Sequence, residues 1–127
     1  MITVPTFNIL LVEDHADTLM AYSKLLRVDG HTVFTADGYQ AAIDLVKKER
    51  IDLAVCDIAL WDGNGCDLLK ELQKIQKLKA IAVTGFTLAD EVDNYRAAGF
   101  DAVLPKPLQL AQITLLISGL QSSSQPN

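Results

Sequence analysis

Five side chains in this 127-residue chain have the types and positions that chemistry on phosphorus requires. They are Glu13 and Asp14 in LLVEDH, Asp57 in AVCDIAL, Thr84 in AVTGF and Lys106 in LPKP. Each stands at the end of an apolar run of strand length. An acid beside a buried strand is costly unless something pairs with it. Three carboxylates crowded together repel, and each pKa rises unless a cation sits between them. A hard divalent ion suits this set. Mg2+ takes oxygen ligands, keeps several waters, and typically uses one or two carboxylates plus phosphate oxygens. Thr84 offers a hydroxyl donor, and Lys106 a mobile point charge for a phosphate or carboxylate. An Asp beside Mg2+, with such groups in reach, is a nucleophile for phosphorus and gives an acyl phosphate.

The elements that must position these groups are legible as a pattern. Apolar or β-branched runs at 7–12, 31–36, 51–56, 79–85 and 101–105 read as strands. Between and after them, 16–30, 38–50, 65–75, 88–99 and 108–120 carry apolar residues at helical spacing, most clearly Ile113, Leu116, Ile117 and Leu120. Strict alternation of strand and helix implies an α/β, doubly wound fold: a five-stranded parallel sheet with helices on both faces. Continuous apolar strands agree, because such a sheet is covered on both sides. Ligands then bind beyond the carboxyl ends of the strands, where all five side chains converge. The expected domain is 1–120, with 121–127 (QSSSQPN) a flexible tail that has nothing to bury.

Composition narrows the function. The net charge of −5 comes without a Lys/Arg stripe, so no nucleic-acid partner is expected. No apolar run approaches the ~20 residues of a membrane span, so no membrane partner is expected either. The N-terminal stretch lacks the basic flank and cleavage site of a secretory signal. Cys56 and Cys66 do not form a C-x-x-C pair and are expected to be free thiols, which fits a cytoplasmic location.

Taken in order and at strand ends, the four motifs LLVEDH, AVCDIAL, AVTGF and LPKP resemble the receiver (response-regulator, chemotaxis-regulator-like) domain of two-component signalling over about residues 7–120. The resemblance implies the flavodoxin-like strand order 2-1-3-4-5. It implies that Asp57 is the phosphoacceptor, served by a histidine kinase or histidine phosphotransfer protein. Glu13, Asp14, Asp57 and the backbone carbonyl of Ala59 would hold Mg2+. Thr84 and Lys106 would bind the phosphoryl oxygens, and Lys106-Pro107 would be a cis peptide. Output to a protein target would run through the face of the fourth helix, fifth strand and fifth helix. The stretch AAGFDAVLPKP is similar to receivers fused to hybrid histidine kinases.

Three positions depart from the family's usual pattern. Val103 stands where many receivers carry the switch aromatic. Trp61 stands where Pro is frequent, and is read as an exposed partner contact. Phe86 stands where a small or polar residue is frequent. With Ala59, it leaves the water that attacks a phosphoryl group without a polar side chain to orient it, so a long-lived phospho-Asp57 is expected. Each site residue also has a plainer reading. Asp14 could cap the first helix. His15 is read as facing water rather than a metal, and His31 as inert. Gly63-x-Gly65 lacks the remaining glycine of a dinucleotide fingerprint. An aspartyl-phosphate phosphatase would need a second acid two residues past the nucleophile, and Ala59 stands there. A pseudo-receiver that only binds partners is disfavoured by the complete set of site side chains.

Overall fold

The computed structural model describes residues 6–85 and 89–124. Five parallel strands, β1 (Asn8–Val12), β2 (Thr32–Ala36), β3 (Leu53–Asp57), β4 (Lys79–Thr84) and β5 (Ala102–Pro105), form one sheet in the order β2-β1-β3-β4-β5. Five helices alternate with them: α1 (Ala16–Val28), α2 (Tyr39–Lys48), α3 (Gly65–Ile75), α4 (Ala89–Ala97) and α5 (Leu110–Ser124). The alternation of strand and helix and the central position of β1 and β3 are as the sequence implied.

The period-two alternation of side chains divides the core between the two faces of the sheet. Leu10, Val12, Ala54, Cys56, Ala80 and Ala82 pack with Ala42 and Val46 of α2, Leu68, Leu69 and Leu72 of α3 and Tyr95 of α4. Ile9, Leu11, Leu53, Val55, Ile81 and Val83 pack with Tyr22 and Leu26 of α1 and Ile113 and Ile117 of α5. The three central strands are buried on both faces, which is why they read as continuous apolar runs. Two helices stop where a glycine takes the left-handed conformation, α1 before Gly30 (φ 89°) and α4 before Gly99 (φ 117°).

Three boundaries differ from the sequence pattern. β3 includes Asp57, paired with Val83 of β4, so the acid is the last residue of the strand rather than the first of the loop. The glycine-rich stretch after it closes on itself: Ala59–Leu60 pairs antiparallel with Gly63–Asn64. The Asn64 side chain then accepts the Cys66 N–H at 2.7 Å and starts α3. The last helix continues through Ser124, four residues past the end set by its apolar stripe, because backbone hydrogen bonding carries a helix on after its buried face ends. Residues 125–127 lie outside the described residues.

Candidate functional site

Register brings the polar strand ends together. Val12 pairs with Cys56 across β1 and β3, and Asp57 pairs with Val83 across β3 and β4. Glu13, Asp57 and Thr84 are therefore next to one another along the carboxyl edge of the sheet, and all three are buried. Lys106 follows β5 immediately. Its peptide bond to Pro107 is cis, and its backbone N–H donates to the Thr84 carbonyl at 3.0 Å.

The Lys106 ammonium joins the two buried acids. Nζ donates to Asp57 Oδ2 at 2.9 Å and to Glu13 Oε1 at 3.1 Å. The other oxygen of Asp57 accepts the Ala59 N–H at 3.2 Å. Burial still holds the Asp57 carboxyl above its ordinary range, with the Glu13 charge adding to it against the opposing pull of Lys106 and the Ala59 N–H. Glu13 behaves differently. Burial acts to raise it, but the His15 backbone N–H and Lys106 together outweigh burial and leave it below its ordinary value. Lys106 is raised: burial alone would lower it, and the bonds to Asp57 and Glu13 reverse the sign.

Asp14 stands at the rim. Its Oδ2 accepts the Trp61 N–H at 2.8 Å, while its Oδ1 is buried without a hydrogen-bond partner. Asp14 is not the cap of α1; that position belongs to His15, whose side chain makes no capping bond. The loop after β3 is held from outside as well. Trp61 Nε1–H donates to the Asp37 carbonyl at 3.2 Å. Asp62 Oδ1 accepts the Tyr39 N–H at 2.7 Å, at the N-terminus of α2, where a carboxylate is favoured by the helix dipole. Close packing accompanies these bonds: a Cβ on Gly63 would come within 2.5 Å of the Tyr39 ring, and one on Gly38 within 2.8 Å of Trp61 Nε1.

Glu13, Asp57, Thr84 and Lys106 thus meet at one edge, with Asp14 and Ala59 at its margin. Ala59 is exposed, and Val103 is half-buried on the face of the sheet covered by α2, α3 and α4. Phe86 lies outside the described residues. Trp61 is exposed, as its sequence context suggested. His15 is largely exposed too, yet its Nδ1 lies 3.3 Å from Glu13 Oε2 and 3.2 Å from Asp14 Oδ1, a closeness that the sequence reading missed. The only signal was adjacency in EDH. The Asp62 clamp on α2 was equally illegible, because it joins residues 23 apart in the chain. His31 is buried and its Nδ1 accepts the Phe7 N–H at 3.0 Å, a structural role. Both cysteines are free, and burial pushes the Cys56 thiol up to about 12.

With this geometry in view, comparison with known proteins decides the family. The model of the response regulator receiver domain matches residues 9–118. The chain belongs to the response regulator receiver family. Over 118 residues this receiver is 34% identical to the aerobic respiration control sensor protein ArcB of Escherichia coli, covering 90% of the receiver and 15% of ArcB. It therefore spans about 15% of the length of that relative. It is 28% identical over 107 residues to the polar-differentiation response regulator DivK of Brucella anthropi, covering 81% of the receiver and 86% of DivK. Among solved structures, a CheY-like receiver domain protein of Methanospirillum hungatei superposes with a TM-score of 0.84 at 27% identity, covering 94% and 96% of the two chains. A two-component response regulator of Clostridium difficile superposes with a TM-score of 0.86 at 23% identity, covering 93% and 98%.

Proposed function

We propose that this receiver is a phosphorylatable switch in which Asp57 accepts a phosphoryl group from a histidine kinase or histidine phosphotransfer protein. The observation that carries the reading is the buried Asp57, bonded at 2.9 Å to a lysine that also reaches Glu13. A carboxylate oxygen of Asp57 attacks phosphorus as the P–N bond of the donor phosphohistidine breaks. The electron pair of that bond leaves with the imidazole, which takes up a proton. Lys106 moves from the carboxylates to the incoming phosphoryl oxygens, and Thr84 donates its hydroxyl to another.

Glu13, Asp14, Asp57 and the Ala59 backbone carbonyl fit a hard divalent ion. The ligand atoms are all oxygen, Asp14 Oδ1 is buried without a hydrogen bond, and Asp57 is held in a state that a further cation would relieve. When bound, Mg2+ neutralises charge that develops on the phosphoryl oxygens.

The domain is proposed as 1–120, and because α5 runs on through Ser124 the tail is shorter than 121–127. Output runs through α4, β5 and α5, because Thr84 and Lys106 stand at the root of that face. With Val103 at the aromatic position, the switch works through a smaller side chain. Neither Ala59 nor Phe86 has a polar side chain to orient an attacking water, so phospho-Asp57 hydrolyses slowly. The receiver acts in the cytoplasm; no helix among the described residues is long and apolar enough to cross a membrane. The match to a stretch of ArcB, a sensor protein, supports a receiver module within a larger sensor, while the match over 86% of DivK supports a free-standing regulator. The test is incubation with Mg2+ and acetyl phosphate: an adduct of ~80 Da on the peptide containing Asp57 is expected, and no adduct, or one elsewhere, rejects the reading.

A further inference from the structure

Asp57 and Thr84 are the last residues of β3 and β4, and the ladder of the sheet fixes them. Lys106 has no such hold: it stands on the link 106–109 between β5 and α5. Prolines leave its neighbourhood few ties. In Pro105-Lys106-Pro107-Leu108 only Lys106 and Leu108 have a backbone N–H. Both are used, and both by groups outside the link. The Lys106 N–H donates to the Thr84 carbonyl at 3.0 Å. The Leu108 N–H donates to the Tyr22 hydroxyl at 2.9 Å, a buried bond that joins α1 to the link across 86 residues. Tyr22 and Leu108 are both buried, in the apolar cluster that also holds Leu104 and Ile113. A buried backbone N–H needs a partner, and the apolar side chains around it cannot supply one. The ring of Tyr22 serves the packing; its hydroxyl serves the bond.

Resting on the phosphoryl-transfer reading above, we propose that Tyr22 is a positioning residue for Lys106: its hydroxyl, by holding the Leu108 N–H, fixes the backbone from which the ammonium reaches Asp57 and then the phosphoryl oxygens. A lysine has a flexible stem, so its aim depends on where its backbone is held. Nζ already lies 2.9 Å from Asp57 Oδ2 and 3.1 Å from Glu13 Oε1. Anchored by Thr84 on one side and Tyr22 on the other, the backbone stays in place while Nζ exchanges a carboxylate for a phosphoryl oxygen; misplacing a reacting group by about 1 Å costs on the order of 100-fold in rate. A second bond provides a control. Thr114 Oγ1–H donates to Asp29 Oδ2 at 2.6 Å, which ties α5 to the C-terminus of α1 without touching the link that carries Lys106.

The experiment compares the full chain as wild type, Tyr22→Phe and Thr114→Val. Measured are the labelling rate with acetyl phosphate at saturating Mg2+, the affinity for beryllofluoride (a mimic of the phosphoryl group) under the same conditions, and the affinity for Mg2+ alone. Tyr22→Phe keeps the ring, and thermal melts set the assay temperature below its unfolding. It is expected to label about tenfold more slowly and to bind beryllofluoride about tenfold more weakly, the factor that corresponds to one lost hydrogen bond of a buried donor. Its Mg2+ affinity is expected to stay unchanged, because Lys106 is no ligand of the ion. Thr114→Val is expected to match wild type in all three measurements. Wild-type labelling or wild-type beryllofluoride affinity in Tyr22→Phe overturns the inference. So does an equal loss of Mg2+ affinity, which would mean that the whole site has shifted. An equal loss in Thr114→Val also overturns it, since the effect would then belong to the docking of α1 on α5. A wild type that neither labels nor binds beryllofluoride would instead overturn the phosphoryl-transfer reading itself, and the inference with it.

Discussion

The two ends of the sheet treat polar side chains in different ways. At the amino ends of the strands, polar side chains are consumed by backbone. Asp52 Oδ2 accepts the Asn8 N–H at 2.8 Å, and Asn8 Nδ2 donates to the Arg50 carbonyl at 3.0 Å. Asp101 Oδ2 accepts the Ala80 N–H at 2.9 Å. Gln76 joins Ile51 N–H to the Val46 and Glu49 carbonyls. These groups tie strand starts to their neighbours. At the carboxyl ends, Glu13 and Asp57 are bridged by the ammonium of Lys106, and one buried oxygen of Asp14 has no hydrogen bond. A carboxylate oxygen bonded to backbone cannot be recruited without losing that bond; Glu13 and Asp57 each have one such oxygen, on the His15 and Ala59 N–H, and a second oxygen on Lys106. One held by a lysine tip can exchange that partner for an ion or a phosphoryl oxygen. On the function proposed above, the acids at the amino ends serve stability and those at the carboxyl ends serve chemistry.

The contrast can be broken most sharply by two parallel substitutions. Asp57→Asn should lose acetyl-phosphate labelling entirely, since an amide is a very poor nucleophile, while Asp52→Ala should label at the wild-type rate. Intact-mass spectra check both; labelled Asp57→Asn, or unlabelled Asp52→Ala, would dissolve the distinction.

Lys106→Met should have the largest effect on stability. It leaves Glu13 and Asp57 buried without their cation, at a cost of about 3 kcal/mol at pH 7 in the absence of divalent ions. The pH dependence has a definite sign. Glu13 is lowered in the fold, so its contribution is present above its ordinary value of 4.5 and is lost as pH falls through the depressed value. Lys106 is raised, so its contribution is complete below its ordinary value of 10.5 and is lost as pH rises through the folded one. The gap between Lys106→Met and wild type should therefore be widest near neutral pH and narrow below 4.5. Urea denaturation across pH measures it, and a gap that stays constant would mean the ammonium serves only packing.

At the opposite end, Asp52→Ala should cost about 1 kcal/mol, the loss of one backbone-directed hydrogen bond. Added Mg2+ should not change that difference, whereas Mg2+ should restore part of the stability of Lys106→Met. Thermal melts with and without Mg2+ distinguish the two.

The smallest effect is a gain. Asp57 is raised in the fold, so its favourable contribution belongs to the protonated form and is lost as pH rises through the folded value. Asp57→Asn mimics that form. It should exceed wild type in stability at pH 7 by on the order of 1 kcal/mol, the size of an ordinary single substitution, and lose the advantage as pH falls below the ordinary value of 3.8. A variant less stable than wild type at pH 7 would show that the Lys106 bond outweighs burial.

The sequence by itself determined the alternation of strands and helices, because burial on both sides of a parallel sheet writes continuous apolar runs and burial on one side of a helix writes a 3.6-residue stripe. It also determined which acids, hydroxyl and lysine gather at the strand ends, because a parallel sheet puts every carboxyl end on the same edge. It did not determine how they pair. The reach of Lys106 to Glu13 spans 93 residues and its reach to Asp57 spans 49, and register alone sets those distances. Nor did it show that Asp62 holds α2, that Trp61 holds Asp14, or that His15 turns back toward the acids; each depends on where a loop closes in space. Local pattern is carried by hydrophobicity, which every residue states for itself. Polar pairing depends on the positions of two atoms at once, and only the tertiary structure decided them.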